Sequence, residues 1–86
     1  MRVLIPQPLL SYTGGRDRVE AWGRTLDELL RDLDDRFPGI RFRMVDEQDR
    51  MRPHVLFFLH GNRTLDLGVS LAGSDEVVIL QALSGG

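Results

Sequence analysis

From Thr25 to Gly39 the chain spells one amphipathic helix with both ends marked. Leu26, Leu29, Leu30, Leu33 and Phe37 recur at i, i+3, i+4, i+7 and i+11, which puts them on a single face. Thr25 has the chemistry of an N-cap, and Glu28 three residues later completes a capping box. Asp27 and Glu28 suit the positive first turn and Arg36 the negative last one. Pro38-Gly39 ends the helix. A helix with one apolar face must bury that face on another layer, and 86 residues leave room for only one such core.

The rest of the chain supplies that layer as strands. Met1 to Pro6 alternates, with Val3 and Ile5 on one face and Arg2 and Leu4 on the other; the prolines at 6 and 8 end it. Ser11 to Gly15 reads as a turn, and Arg16 to Trp22, with Val19 and Ala21 inward, completes a hairpin. Ile40 to Pro53 reads as a short helical or irregular crossover. His54 to Leu59 is a third strand, His60 to Arg63 a turn, Thr64 to Leu67 a short edge strand and Glu76 to Leu80 the last strand. The expected class is α+β, a mixed sheet of four to five strands packed on one main helix, with residues 1–80 as the domain and 81–86 as an extended tail.

Composition narrows the functions open to such a fold. Eleven positive and thirteen negative side chains leave a net charge of −2, so no nucleic-acid partner is expected. There is no cysteine, which removes disulfides, thiolate metal sites and thiol nucleophiles. No apolar run approaches the ~20 residues of a membrane span and no signal region opens the chain, so a cytoplasmic protein without a membrane partner is expected. All eleven cationic side chains are arginine. The chain therefore has no lysine to which a second copy could be joined.

Several local patterns carry no site. Gly14-Gly15 is followed by neither a helix start nor a lysine and reads as a turn rather than a phosphate cradle. Asp32, Asp34 and Asp35 fall on the solvated side of the helix. His54 and His60 share a strand parity but have no further ligand beside them, so no metal is expected. Asn62-Arg63-Thr64 matches a glycosylation acceptor and reads as part of a turn.

Beyond the last strand come Leu83, Ser84, Gly85 and Gly86. Glycine has no Cβ, so this end is a thread narrow enough to enter another protein's active site. A sheet wrapped on one helix and followed by Gly-Gly resembles the ubiquitin-like β-grasp fold. In detail, Ser11 to Gly15 (SYTGG), Thr25 to Gly39 (TLDELLRDLDDRFPG), Arg52 to Val55 (RPHV) and Leu71 to Gly86 (LAGSDEVVILQALSGG) are similar to the small sulfur-carrier family. That family includes the small subunit of molybdopterin synthase, the thiamine-pathway carrier and the carrier of one route to cysteine. This chain departs from many relatives in having Leu56 and His60 at positions where they have asparagine, and Gln81 where they have proline.

The resemblance implies a role. The C-terminal carboxylate of Gly86 is adenylated by a separate activating enzyme that uses ATP. It then becomes a thiocarboxylate that donates sulfur to a synthase, such as a molybdopterin synthase large subunit. Gly85, Ser84 and Leu83 thread the tail into these partners. If the first, third and fifth strands are neighbours, as the family's sheet order implies, Leu4, Leu56, Phe58, Val78 and Leu80 form one exposed apolar patch for partner binding, with self-association as the competing use. The chain itself binds no cofactor and is not an enzyme. Molybdopterin synthesis is the pathway expected first. The alternatives are sulfur transfer to cysteine, thiamine or tRNA, a ubiquitin-like covalent modifier, and a non-covalent interaction domain.

Overall fold

Val3 lies beside Val77, and Phe57 beside Ile79, on the inner face of a five-stranded sheet, and Val3, Val77 and Phe57 have no exposed surface. In this computed structural model, which describes residues 1–82, they belong to β1 (Arg2–Leu4), β5 (Glu76–Gln81) and β3 (Val55–Leu59). Strands β2 (Arg18–Glu20) and β4 (Asn62–Thr64) form the two edges, in the order β2-β1-β5-β3-β4. The β1–β5 pair is parallel and the other three pairs are antiparallel. Period-2 alternation sends Val3, Val19, Val55, Phe57, Leu59, Val77 and Ile79 to one side, where all are buried.

Helix α1 (Leu26–Arg36) packs on that side with Leu26, Leu29, Leu30 and Leu33 completely covered. Its start follows the capping box: the Glu28 N–H donates to Thr25 Oγ1 at 3.2 Å. The Glu28 carboxylate accepts from the Arg24 N–H at 3.1 Å, one residue ahead of the cap. Two more of the N–H groups that every helix start leaves open, those of Leu26 and Asp27, donate to the Val69 and Leu67 carbonyls. The loop after β4 thus ties itself to the helix. Gly23 admits no side chain, because a Cβ there would collide with the Leu29 backbone and sit 2.7 Å from the Glu28 carbonyl carbon.

Three stretches differ from their sequence reading. The link between β1 and β2 is a 3-10 helix, Gln7–Thr13, rather than a turn beginning at Ser11. Pro8 lacks an N–H and has a preset φ, which suits the first turn of a helix. The helix carries Leu9 into the core, and Gly14 closes it at φ +66°. The edge strand spans Asn62–Thr64 rather than 64–67, because the preceding turn needs only His60 and Gly61, both at positive φ. Strand β5 continues through Gln81, and the Ala82 N–H donates to the His54 carbonyl, so the chain stays on the sheet for two residues past position 80. The 40–53 crossover is short and partly helical, as expected: Arg41–Arg43 forms a 3-10 turn, and Ile40, Met44 and Val45 close the core.

Candidate functional site

The opposite face of the sheet has no covering layer among the described residues. Alternation puts Leu4, Leu56, Phe58, Val78 and Leu80 there, and strand order makes them contiguous. Leu4 stands beside Val78, Val78 beside Phe58, and Leu80 beside Leu56. Four are half-buried by their neighbours, while Leu80 is 47% exposed. The five patch residues named from the sequence are therefore brought together on one surface.

The patch has a charged border on the side of the N-terminus. Arg2 lies between Glu20 on β2 and Glu76 on β5. Its Nε is 3.4 Å from Glu76, and the N-terminal ammonium is 3.2 Å from Glu20. A shallow depression of about 310 Å³ runs from Phe58, Val78 and Leu80 to His60, Asp75 and Glu76. His60 Nε2 lies 2.8 Å from Ser74 Oγ, which ties the β3–β4 turn to the loop ahead of β5.

At the other end, β5 delivers the chain toward its C-terminus. Beside Gln81 is a second depression, of about 230 Å³, bordered by Leu9, Phe42, Arg43, Arg52 and His54. Arg52 is held flat there: its Nε–H donates to the Phe42 carbonyl at 2.7 Å and its guanidinium lies 4.7 Å from the Phe42 ring centre. The expected threading residues Leu83, Ser84 and Gly85, and the expected acyl carrier Gly86, lie outside the described residues.

Among the described residues no group of three or more His, Asp or Glu side chains could hold a metal ion. Three of the helix carboxylates, Asp27, Glu28 and Asp32, serve ion pairs. Asp27 accepts from Arg31 and Arg41 at 2.9 Å each, and Asp32 accepts from Arg36 at 2.9 Å and from the Trp22 N–H at 2.8 Å. Burial pushes the Asp27 carboxyl up, but the two arginines outweigh it and hold it below the usual carboxylate range. Asp32 is held low by its Arg36 hydrogen bond and then by the Trp22 N–H. Such groups are structural anions, not proton donors. Among the described residues no helix is long and apolar enough to cross a membrane.

Two residues on the open face were not singled out from the sequence. Arg18 pairs across from Leu4 and Arg63 across from Phe58. The parity of Arg18 relative to Val19 could have placed the first; the second was hidden by reading Arg63 as a turn residue.

The chain matches known proteins over nearly its whole length. The sulfur carrier protein CysO of Mycobacterium tuberculosis is 33% identical over 89 residues, covering 98% of this chain and 96% of that protein. The chain belongs to the CysO family of small sulfur carriers. Its fold agrees: the crystal structure of Mycobacterium tuberculosis CysO superimposes with a TM-score of 0.87 at 30% identity, over 95% of this chain and 98% of that one. A chain of the Amycolatopsis orientalis BexX/CysO complex gives 0.88 at 31%, over 99% and 98%. Haloferax volcanii SAMP1 gives 0.77 at 25%, over 100% and 98%. No protein-family model matches the chain. As a sulfur carrier with the ubiquitin-like β-grasp fold, it is not itself an enzyme.

Proposed function

We propose that the chain carries sulfur as a thiocarboxylate on Gly86 and delivers it to a synthase that docks on the open sheet face. The observation that carries this reading is the 33% identity to a sulfur carrier over 98% of the chain. A carboxylate repels nucleophiles because it is already negative. Joining it to AMP, at the cost of ATP cleaved on a separate activating enzyme, removes that charge and supplies a leaving group. A sulfur nucleophile then displaces AMP, and the thiocarboxylate that remains is ionised and nucleophilic, as a thiolate is. Leu83, Ser84 and Gly85 form the thread, while Leu4, Leu56, Phe58, Val78 and Leu80 hold the partner.

For the destination of the sulfur, cysteine is favoured over molybdopterin. The sulfur-carrier family contains a cysteine-route member, and what supports that branch here is that the Mycobacterium tuberculosis relative and two of the matching solved structures bear the CysO name. Docking to a partner enzyme has support in the BexX/CysO complex of the Amycolatopsis relative. The likeness to SAMP1, a small archaeal modifier protein, supports a second reading in which the same activated carboxylate acylates protein amines.

The experiment incubates the purified chain with the host's adenylating enzyme, ATP and sulfide, then alkylates and fragments it. Because the chain has no cysteine, an alkyl group on Gly86 is the expected product. Loss of that sulfur on adding the host's cysteine synthase, but not on adding a molybdopterin synthase large subunit, assigns the pathway. An unlabelled tail with an active adenylating enzyme overturns the carrier chemistry, and isopeptide adducts in the lysate favour the modifier.

A further inference from the structure

One rung crosses all five strands of the open face. It reads Arg18 on β2, Leu4 on β1, Val78 on β5, Phe58 on β3 and Arg63 on β4. Neighbouring strands are about 4.8 Å apart, so four intervals separate the two arginines by about 19 Å. An apolar strip is thus closed at each end by a cation.

The two cations are unlike most arginines of this protein. Arg2, Arg24, Arg31, Arg36, Arg41 and Arg50, six of the eleven, sit in ion pairs. Arg18 and Arg63 are exposed and have no carboxylate partner among the described residues. The acidic groups on the adjoining rung are already engaged, Glu20 by the N-terminal ammonium and Glu76 by Arg2. No carboxylate among the described residues lies within ion-pair distance of either guanidinium, which leaves both able to meet a partner's.

We propose that the open face takes a partner surface in which an apolar patch is bordered by two carboxylates, one for Arg18 and one for Arg63, whose backbone positions stand about 19 Å apart. This rests on the carrier reading and names the kind of surface its adenylating enzyme presents. The guanidinium fork matches a carboxylate in two parallel hydrogen bonds, so the pair fixes register across the strip as well as attracting the partner. A second copy of this chain fits worse. With two copies of the rung stacked in register about a two-fold axis, Arg18 meets either Arg18 or Arg63 of the other copy, and cation faces cation.

The test compares wild type with Arg18→Glu, Arg63→Glu, the double reversal and the double lysine variant. The assay is ATP–pyrophosphate exchange by the purified host adenylating enzyme at several salt concentrations. The double reversal is expected to raise the KM for the carrier about tenfold or more with kcat kept, and to flatten its salt dependence. Lysine at both positions is expected to restore most of the attraction. Melting curves should be unchanged, since both side chains are exposed. A KM within about twofold of wild type, with the same salt slope, overturns the proposal. So does a tight wild-type homodimer, seen by sedimentation and broken by Leu56→Glu. If wild type itself is not adenylated by an enzyme active on its own carrier, the carrier reading fails first, and this inference with it.

Discussion

Gln81 stands opposite Val55 on the last rung of the β3–β5 ladder, and the next bond out runs 2.7 Å from the Ala82 N–H to the His54 carbonyl. Antiparallel pairs alternate between bonded and non-bonded, so this bond makes Val55–Gln81 a non-bonded pair, with the Gln81 N–H turned away from β3. Proline is therefore compatible with position 81 and incompatible with position 82. Gln81→Pro should leave the melt nearly unchanged. Ala82→Pro should remove the last bond to β3, cost about 1 kcal/mol and lower the melting temperature by a few degrees. Equal melts for the two variants would show that the sheet does not hold the root of the tail.

The two faces of the sheet should respond oppositely to substitution. Leu29 is fully covered between helix and sheet, so Leu29→Ala should cost about 2–5 kcal/mol in a denaturant titration. Leu80 is half-exposed on the open face. Leu80→Glu should leave stability nearly untouched and cut adenylation kcat/KM about tenfold or more if the patch is where the partner sits. A Leu80→Glu protein that is adenylated at the wild-type rate would remove the open face from the mechanism.

At the β3–β4 hairpin, His60 at φ 54° and Gly61 at φ 77° fill a two-residue loop closed by the Leu59–Asn62 pair. Positive φ at both loop positions is the pattern that asparagine followed by glycine accepts best. Histidine adopts it at a cost, and its side chain makes an exposed hydrogen bond to Ser74. His60→Asn is expected to raise the melting temperature by a few degrees, on the order of 0.5 kcal/mol. A lower melting temperature would assign the Ser74 bond more weight than its exposure suggests.

That same loop shows where reading the sequence stopped. α1 was legible because its signals agree: leucine spacing, the Thr25 cap and the Pro38-Gly39 stop all mark one element. The open patch was legible too, because alternation in β1, β3 and β5 fixes which residues share a face once the strand order is supplied. β4 was not, since nothing local announces a histidine at positive φ. Reading His60 to Arg63 as a four-residue turn moves the edge strand by two positions and hides Arg63. The Gln7–Thr13 helix was lost for a related reason: two prolines read as the end of a strand also open a 3-10 turn, and only the burial of Leu9 and Thr13 decides between them.

Acid should unfold this protein through a few aspartates rather than uniformly. Asp32 is lowered by the Arg36 bond and the Trp22 N–H, and Asp46 chiefly by the Arg50 N–H and then that of Gln48. In Asp27 the hydrogen bonds of Arg31 and Arg41 override the opposing effect of burial. A carboxyl whose folded value lies below its unfolded value adds stability that is complete above about pH 5, and loses it as pH falls past the unfolded value near 3.9 toward the folded one. The urea midpoint should therefore be flat from about pH 5 to 7 and fall steeply below about pH 4. Asp32→Asn should lower the neutral plateau and make the acid slope shallower, because one of the protons taken up on unfolding is gone. A variant that keeps both the wild-type plateau and the wild-type slope would show that the Asp32–Arg36–Trp22 contact contributes nothing to folding, leaving Asp27 and Asp46 to account for the acid sensitivity.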